Sequence, residues 1–385
     1  SHSIVMSNAA TSAMNTQTIA GVETINITST DSTVAASGQT AIHTVTLTAA
    51  AATDVIVTGN AGLNVTATGS TKITNFDASG VTTSAAATAA SATSGQVTYT
   101  SLNTTVTATP TIKGGAGPDA LTGSTGAVAE TFHGGAGNDT IEGNTGNDIM
   151  NGDAGNDTFN FLTVELTGLD TVSGGAGTDI ISVTDETASA AARNVVDADF
   201  ANVTEVETLT LVAGSAHTLT VGASALASGL ATVNATGAGN NGITVGAGFA
   251  GPLSINSGTG DDTITLSGVA AGHIITADLG NGTNGVTLGA GTENLTGGTG
   301  ADTLTVGVGS YLASTDMANG STGTDVVAFS AAATVTDDQF SGLSNFETVT
   351  TSNNATSVTL AAQAQEAGIV TLTAGNATNT LDASA

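Results

Sequence analysis

Apolar and polar residues alternate in short runs along most of this chain. Thr24-Ile25-Asn26-Ile27-Thr28, His43-Thr44-Val45-Thr46-Leu47-Thr48 and Thr208-Leu209-Thr210-Leu211 alternate the two types residue by residue, which is the period of a strand with one face buried. Thr, Val and Ile dominate these runs, and β-branched side chains suit a pleated surface. The helical period of 3.6 is nearly absent, and Leu360 to Glu366 is a short exception. Gly- and Asn-bearing turns separate the runs. The pattern therefore predicts many short strands joined by tight turns.

Two repeats organise these strands. Gly21-Val22-Glu23-Thr24, Glu205-Val206-Glu207-Thr208 and Asn345-Phe346-Glu347-Thr348 each open a Thr-rich run, and Glu207 and Glu347 lie 140 residues apart. The shorter period is nine. From Gly134 the chain reads Gly-Gly-Ala-Gly-Asn-Asp-Thr-Ile-Glu, then Gly-Asn-Thr-Gly-Asn-Asp-Ile-Met-Asn, then Gly-Asp-Ala-Gly-Asn-Asp-Thr-Phe-Asn, so Asp139, Asp148 and Asp157 are nine apart. Asp119 and Glu130 upstream, and Asp170 and Asp179 downstream, fill the same slot after insertions of two and four residues, giving about seven rungs over residues 114–182.

Each position of the nonapeptide has a physical role. Glycine supplies positive φ and lets neighbouring backbones approach, which a six-residue turn requires in every repeat. The turn aims backbone carbonyls and the acid inward, and a shell of about six hard oxygens suits calcium. Two residues after each acid stands an apolar side chain: Leu121, Phe132, Ile141, Met150, Phe159, Val172 and Ile181. Stacked along a coil, these form a narrow continuous core. One nonapeptide is half a coil, so residues 18 apart share an edge, one strand spacing of ~4.8 Å up the axis. Asp139 is then expected beside Asp157 and Glu130 beside Asp148, with a ladder of ions on each edge.

Weaker copies follow. Gly297-Gly298-Thr299-Gly300-Ala301-Asp302-Thr303-Leu304 keeps the motif, with Glu293 and Asn284 in the acid slot nine and eighteen residues earlier. Asp262 with Ile264, and Asp325 with Val327, repeat the acid and apolar positions. At Asp262, Asp302 and Asp325 two readings stand, a cation ligand or a tight turn capped by Asp. Asn64, Asn241 and Asn379 hold similar slots without charge, where the solenoid is expected to continue without metal.

Charge strengthens the metal reading. Only 3 Lys and Arg stand against 32 Asp and Glu, a formal net charge of -29, so compaction without a bound cation is opposed by self-repulsion. Nucleic acid and anionic lipid headgroups are held by Lys and Arg; Lys72, Lys113 and Arg193 are too few for that, and are expected to pair with neighbouring acids. A 39% hydrophobic content and mean hydropathy of +0.23 indicate a packed core of small side chains rather than a disordered acidic polymer. With no cysteine, neither disulfides nor thiolate sites exist. No run approaches the ~18 apolar residues of a membrane helix, so no membrane insertion is expected. No secretory leader is visible, so an export signal is expected outside this segment, which reads as a piece of something larger.

No enzymatic constellation emerges. Gly-x-Ser-x-Gly and His-Glu-x-x-His are absent, and His2, His43, His133, His217 and His273 are scattered. His133 reads as a solvated strand residue. The regular spacing of the acids favours metal over a glycosidase-like pair. Regular Thr reads as ordinary solvent-facing strand composition ahead of an ice- or polysaccharide-binding face.

The Gly-Gly-x-Gly-x-Asp-x-apolar-x unit at 134–142 resembles the nonapeptide that defines the RTX family. That resemblance implies an all-β fold, a right-handed parallel β-roll or β-solenoid, elongated and divided into segments. The expected segments are a Thr-rich β-solenoid over 1–110, a calcium-binding β-roll over 111–185 and a degenerate solenoid over 186–385. The expected calcium (Ca2+) positions are Gly115, Gly117, Asp119 and Glu130, then Gly135, Gly137, Asp139, Asn144, Gly146 and Asp148. They continue with Asp153, Gly155, Asp157, Asp170, Gly175, Gly177 and Asp179, and, in the weaker copies, with Gly258, Gly260, Asp262, Gly298, Gly300, Asp302 and Asp325.

A second resemblance joins Val57-Thr58-Gly59-Asn60-Ala61-Gly62-Leu63-Asn64-Val65-Thr66, Asn75-Phe76-Asp77-Ala78-Ser79 and the first calcium repeat. Over roughly residues 40–125 this order is similar to bacterial surface-layer (S-layer) proteins of the Caulobacter type. It implies an extracellular protein exported by type I machinery, folding in external calcium and tiling the cell surface with copies of itself. The anchoring N-terminal domain and C-terminal secretion signal of that family are not evident here. Calcium and further copies of the chain are the expected partners, with cell-surface polysaccharide a third that stays open. Two other readings also stay open: an adhesin or biofilm matrix protein, and the calcium-folding module of a secreted hydrolase.

Overall fold

The structure is a computed structural model of the 385-residue chain and describes residues 1–8, 10–32, 41–83, 94–105, 108–184, 194–212, 216–237 and 239–383. Arg193 lies outside the described residues. The alternating runs become strands, and the strand pairings are parallel throughout the described residues. The result is the all-β parallel solenoid that the repeats predict. Among the described residues two five-residue helices interrupt it, Ala223–Ala227 and Ala362–Glu366. The second coincides with the short helical pattern near residue 360; the first has no such signal in the sequence.

The chain divides into two compact units, one of residues 1–183 with 202–207 and the other of residues 184–201 with 208–385. In the first unit the chain alternates between two sheets, so that each coil contributes one strand to each. Strands Thr131–Ala136, Ile149–Ala154 and Thr171–Ser173 stack in one sheet, and Ala120–Thr122, Thr140–Glu142, Thr158–Phe161 and Ile180–Val183 in the other. Thr140 pairs with Thr158 and Thr131 with Ile149, the 18-residue coil that the nonapeptide requires. The insertions lengthen individual coils without shifting register, since Thr158 still pairs with Ile180.

Side chains obey the alternation. Thr24–Asp31 buries every second residue, and Leu121, Phe132, Ile141, Met150, Phe159, Val172 and Ile181 are all buried. They form the single-file core, and Phe76 stacks flat on Tyr99 at 3.8 Å above it. Asn64 departs from its expected turn slot: it lies within strand Gly62–Ala67, paired with Thr44 and Thr98. The alternation of Leu63, Asn64, Val65 and Thr66 places it on the outward face.

In the second unit, strands Gly242–Val245, Thr263–Thr265, Gly285–Thr287, Thr303–Val306 and Val326–Phe329 stack in one sheet, and Ile274–Gly280, Thr292–Gly297 and Met317–Asn319 in another. The 140-residue repeat proves to be a structural module. Single 3-10 turns at Asp197–Phe200 and Asp337–Phe340 occupy equivalent positions. Asp197 accepts from the amides of Gly222, Ser224 and Ala225 at the start of the first helix. Asp337 does the same for Ala361, Gln363 and Ala364 at the second. Each acid satisfies donors that a helix N-terminus leaves open.

Candidate metal centre

The acid slots of the first unit fall on two edges, as spacing requires. On the edge that opens into strand Thr140–Glu142, each acid is tied to the one before it. The Asp119 amide donates to Asp139 Oδ1 at 2.7 Å, the Asp139 amide to Asp157 Oδ1 at 2.7 Å, and the Asp157 amide to Asp179 Oδ1 at 2.7 Å. Above, the Val97 amide donates to Asp119 Oδ1. Below, the Asp179 amide donates to Glu207 Oε2 at 2.8 Å. The opposite edge repeats this, with the Glu130 amide donating to Asp148 Oδ1 at 2.8 Å and the Asp148 amide to Asp170 Oδ1 at 3.1 Å.

The ladder uses one oxygen of each aspartate, while Glu130 Oε2 accepts from the Ser124 amide of its own turn. The second oxygens of Asp139, Asp157 and Asp179, and Oε1 of Glu130, are buried and have no hydrogen-bond partner. A buried carboxylate oxygen without a donor costs free energy unless a cation meets it. Asp119 differs, because its Oδ2 accepts from the Gly115 amide, and so does Asp170, whose Oδ2 accepts from the Thr167 amide and hydroxyl.

Glycine shapes the space beside the free oxygens of Asp139, Asp157 and Asp179. A methyl group on Gly134 would fall 2.3 Å from Asp139 Oδ2 and 2.6 Å from the Gly152 carbonyl oxygen; on Gly152, 2.3 Å from Asp157 Oδ2 and 2.5 Å from the Gly174 carbonyl oxygen. A carboxylate oxygen and a carbonyl oxygen of the next rung thus flank one point in each turn. Sequence reasoning missed this first glycine of the repeat and named the later ones. Those later glycines make the rungs stack: Gly137, Gly155 and Gly177 have φ of +127°, +146° and +153°, and each sits on the backbone of its predecessor.

Asn144 and Asp153 take the second glycine position with φ of +59° and +70°, conformations that Asn and Asp tolerate better than most residues. The Asp153 carboxylate faces outward, 3.4 Å from His133 Nδ1, so its contribution to the turn is backbone. Asn144 Nδ2 donates to the Gly123 carbonyl. Lys113 reaches Asp77 at 3.7 Å, the surface pairing expected of the few cations. The Asn before Asp139 and the Asn before Asp157 also take part in the stacking, since Asn138 Oδ1 accepts from the Asn156 amide, and Asn156 Oδ1 from the Thr178 amide. An outer amide ladder thus runs beside the acid ladder.

The second unit carries its own ladder. Amides of Asn241, Asp262, Asn284, Asp302 and Asp325 donate in turn to Asp262, Asn284, Asp302, Asp325 and Glu347. Oδ2 of Asp262, Asp302 and Asp325 is buried without a partner. Asn241 and Asn284 therefore keep the hydrogen bonds while diluting the charge. Gly258 and Gly260, like Gly298 and Gly300, stack on the backbone of the preceding rung. Glu207 and Glu347, noticed in the sequence only as strand openers, close the two ladders.

Burial raises the carboxyl pKa of Asp119, Glu130, Asp139, Asp148, Asp157 and Asp179, and of Asp262, Asp302 and Asp325, and neighbouring acids raise several of them further. Asp119 is pushed up to about 8 by burial and then Asp139; Asp139 to about 7, chiefly by burial; Asp148 to about 7, chiefly by burial; and Asp157 to about 6, chiefly by burial. Among the described residues, no group of three or more His, Asp or Glu side chains converges on one point. Paired carboxylate oxygens supplemented by backbone carbonyls remain, an all-oxygen set suited to a hard cation such as calcium rather than to zinc.

The two oxygens of Asp157 are separable by mutation. Asp157→Asn keeps an acceptor for the Asp139 amide and removes the charge. We expect calcium affinity to fall at least about tenfold with metal-free stability preserved or raised, whereas Asp157→Ala also loses about 1 kcal/mol of metal-free stability with the ladder bond. Equal calcium affinity in wild type and Asp157→Asn, by calorimetric titration, would exclude this oxygen as a ligand.

Residues 124–159, 166–183 and 287–310 match the family model of the RTX calcium-binding nonapeptide repeat (4 copies). No curated protein and no solved structure matches the chain. The matched segments contain Glu130, Asp139, Asp148, Asp157, Asp170, Asp179 and Asp302; Asp119, Asp262 and Asp325 lie outside them and join the same ladders by hydrogen bonding.

Proposed function

We propose that this chain is a non-enzymatic structural protein of a bacterial surface layer, which folds and self-assembles outside the cell when its acid ladders bind calcium. The observation that supports it best is the row of buried carboxylate oxygens without partners, repeated on successive rungs of a solenoid that matches calcium-binding repeats. Asp139, Asp157, Asp179, Glu130, Asp148 and Asp302 would hold the ions, with carbonyls of the first glycines beside them. Bound calcium supplies positive charge that neutralises the ladder and lets the turns close.

Function follows from where that charge is available. In cytoplasm, where calcium is scarce, like-charged carboxylates brought onto one edge repel and the chain stays open for type I export; outside, the same residues close into rungs. Extracellular calcium modules bind at ~10⁻⁴–10⁻³ M, so folding would track location. A net charge of -29 also opposes lateral contact between copies, and calcium removes part of that barrier. No described helix is long and apolar enough to cross a membrane, which suits attachment through contacts with other copies or with surface polysaccharide.

Electron microscopy of the chain with and without calcium tests assembly. Ordered two-dimensional sheets are expected only with calcium. Monomers in both conditions would sink the lattice and favour an adhesin or a folding module.

A further inference from the structure

One sheet of the first unit carries, on its outward face, a cleft that the acid ladders do not use. It lies where strand Thr111–Lys113, three residues long, runs between the longer strands Asn75–Val81 and Thr131–Ala136. Gly114 and Gly115 follow Lys113, so this rung presents bare backbone where its neighbours keep side chains. The cleft measures about 470 Å³, with Ser79, Thr82, Lys113, His133 and Asp153 among its lining, within the roughly 300–1,000 Å³ of ligand pockets. Its floor is held open. A methyl on Gly115 would lie 2.8 Å from the Val81 carbonyl oxygen, and one on Gly135, whose φ is +107°, 2.2 Å from the Gly115 carbonyl oxygen.

Four charged or ionisable side chains collect here, one from each of four successive rungs. Lys113 pairs in register with Asp77 on one side and His133 on the other, and Gly135 with Asp153. Lys113 Nζ stands 3.7 Å from Asp77 Oδ2, and His133 Nδ1 3.4 Å from Asp153 Oδ2. Side-chain exposures of 39% for Lys113, 28% for Asp77, 40% for His133 and 42% for Asp153 leave all four within reach of a solute. Burial opposes ionisation of Asp77, but hydrogen bonds from Ser79 and then the Lys113 charge outweigh it and hold its carboxyl below the ordinary value. Acceptors and donors thus alternate along the face at about one strand spacing, ~4.8 Å. An ammonium has three donors and a carboxylate about four acceptor sites, so these pairings leave capacity for a ligand.

The lining selects among ligand classes. Strand Thr111–Lys113 is paired on both sides, so no sheet edge is offered to a peptide. Val81, the largest apolar residue of the lining, is buried, which gives a hydrophobic ligand little to cover. A net charge of -29 repels polyanions. A ligand dense in hydroxyls, each both donor and acceptor, matches the alternating row.

We propose that this cleft is a binding site for a neutral polysaccharide, with Asp77 and Asp153 accepting from sugar hydroxyls and Lys113 and His133 donating to them. The inference deepens the attachment to surface polysaccharide named above and rests on that extracellular reading.

Affinity electrophoresis of the calcium-loaded full chain through dextran and mannan, both neutral, and through alginate, an acidic polymer, tests it. Dextran or mannan should retard the wild type at low and high salt alike. Lys113→Ala and Asp153→Asn should each weaken that retardation at least about tenfold, the usual effect of losing a charge-assisted hydrogen bond. Lys72→Ala, which removes the same charge from an exposed turn, should leave it unchanged. Asn tolerates the left-handed backbone of residue 153, and circular dichroism verifies that each variant folds; should Lys113→Ala not fold, His133→Ala takes its place. No retardation by either neutral polymer, or equal retardation of wild type and variants, overturns the site and leaves calcium-driven assembly standing. Retardation by alginate alone, lost at high salt, overturns it as well. Wild type that neither folds nor forms sheets with calcium overturns the underlying reading and this inference with it.

Discussion

Chelating calcium at about pH 7.5 is expected to abolish most of the β signal in circular dichroism, and acidifying the chelated protein towards about pH 4 is expected to restore it. The acids on the ladder have folded-state pKa values raised by burial, to about 6 for Asp157, about 7 for Asp139 and Asp148, and about 8 for Asp119. Between the ordinary carboxylate value near 4 and these raised values, the folded metal-free chain holds more protons than the unfolded one. Its stability therefore falls as pH rises through that window and is greatest below it. Calcium reverses the trend, because protons compete with it for the same oxygens and its hold weakens on acidification. Each independent site saturated at a hundredfold its Kd adds about 2.7 kcal/mol, so several sites suffice to shift a solenoid from unfolded to folded. Thermal melts at about pH 4 and pH 8, with and without calcium, check this. A metal-free protein as stable at the higher pH as at the lower would contradict the burial of ionised acids.

Gly155→Ala is expected to cost about 3–5 kcal/mol, where Gly126→Ala should be within about 1 kcal/mol of neutral. Gly155 has φ of +146°, and a methyl there would lie 1.6 Å from the Gly137 carbonyl oxygen. Strained backbone and overpacking against an immovable neighbouring rung add together. Gly126 lies in the same repeat region, but a methyl there meets Ser124 Oγ at an ordinary 3.4 Å and φ is not positive, so reduced freedom of the unfolded chain offsets the small contact. Urea denaturation at fixed calcium measures both. Equal costs would mean that glycine serves only local flexibility here and not the stacking of one rung on the next.

Much of this was legible because a solenoid translates spacing into position. The period of two in Thr24-Ile25-Asn26-Ile27 indicated burial directly, and the period of nine put Asp139 and Asp157 on one edge and Glu130 and Asp148 on the other. Asn64 was misplaced because Gly62-Leu63-Asn64 imitates a turn while its alternation belongs to a strand. The helix at 223–227 escaped notice because its start is capped by Asp197, more than twenty residues earlier. Glu207 carried no visible sign of ending a ladder, since residues 180–206 separate it from Asp179.

The sequence by itself determined the coil length, the apolar file along the interior and the two edges on which acids collect. These depend on distances along the chain that survive any rigid stacking of coils. The tertiary structure alone decided which carboxylate oxygen stays free, because that is set by an amide donated from the preceding rung. It also decided that the first glycine of the turn borders that oxygen at Asp139, Asp157 and Asp179, and that Glu293 meets Asp316 across an irregular loop. Such contacts join residues of different coils, and insertions between coils hide their pairing until the rungs are stacked. The acid slots of residues 114–182 were read from spacing; their chemistry as ladders with one free oxygen on most of the acids came from the stacking.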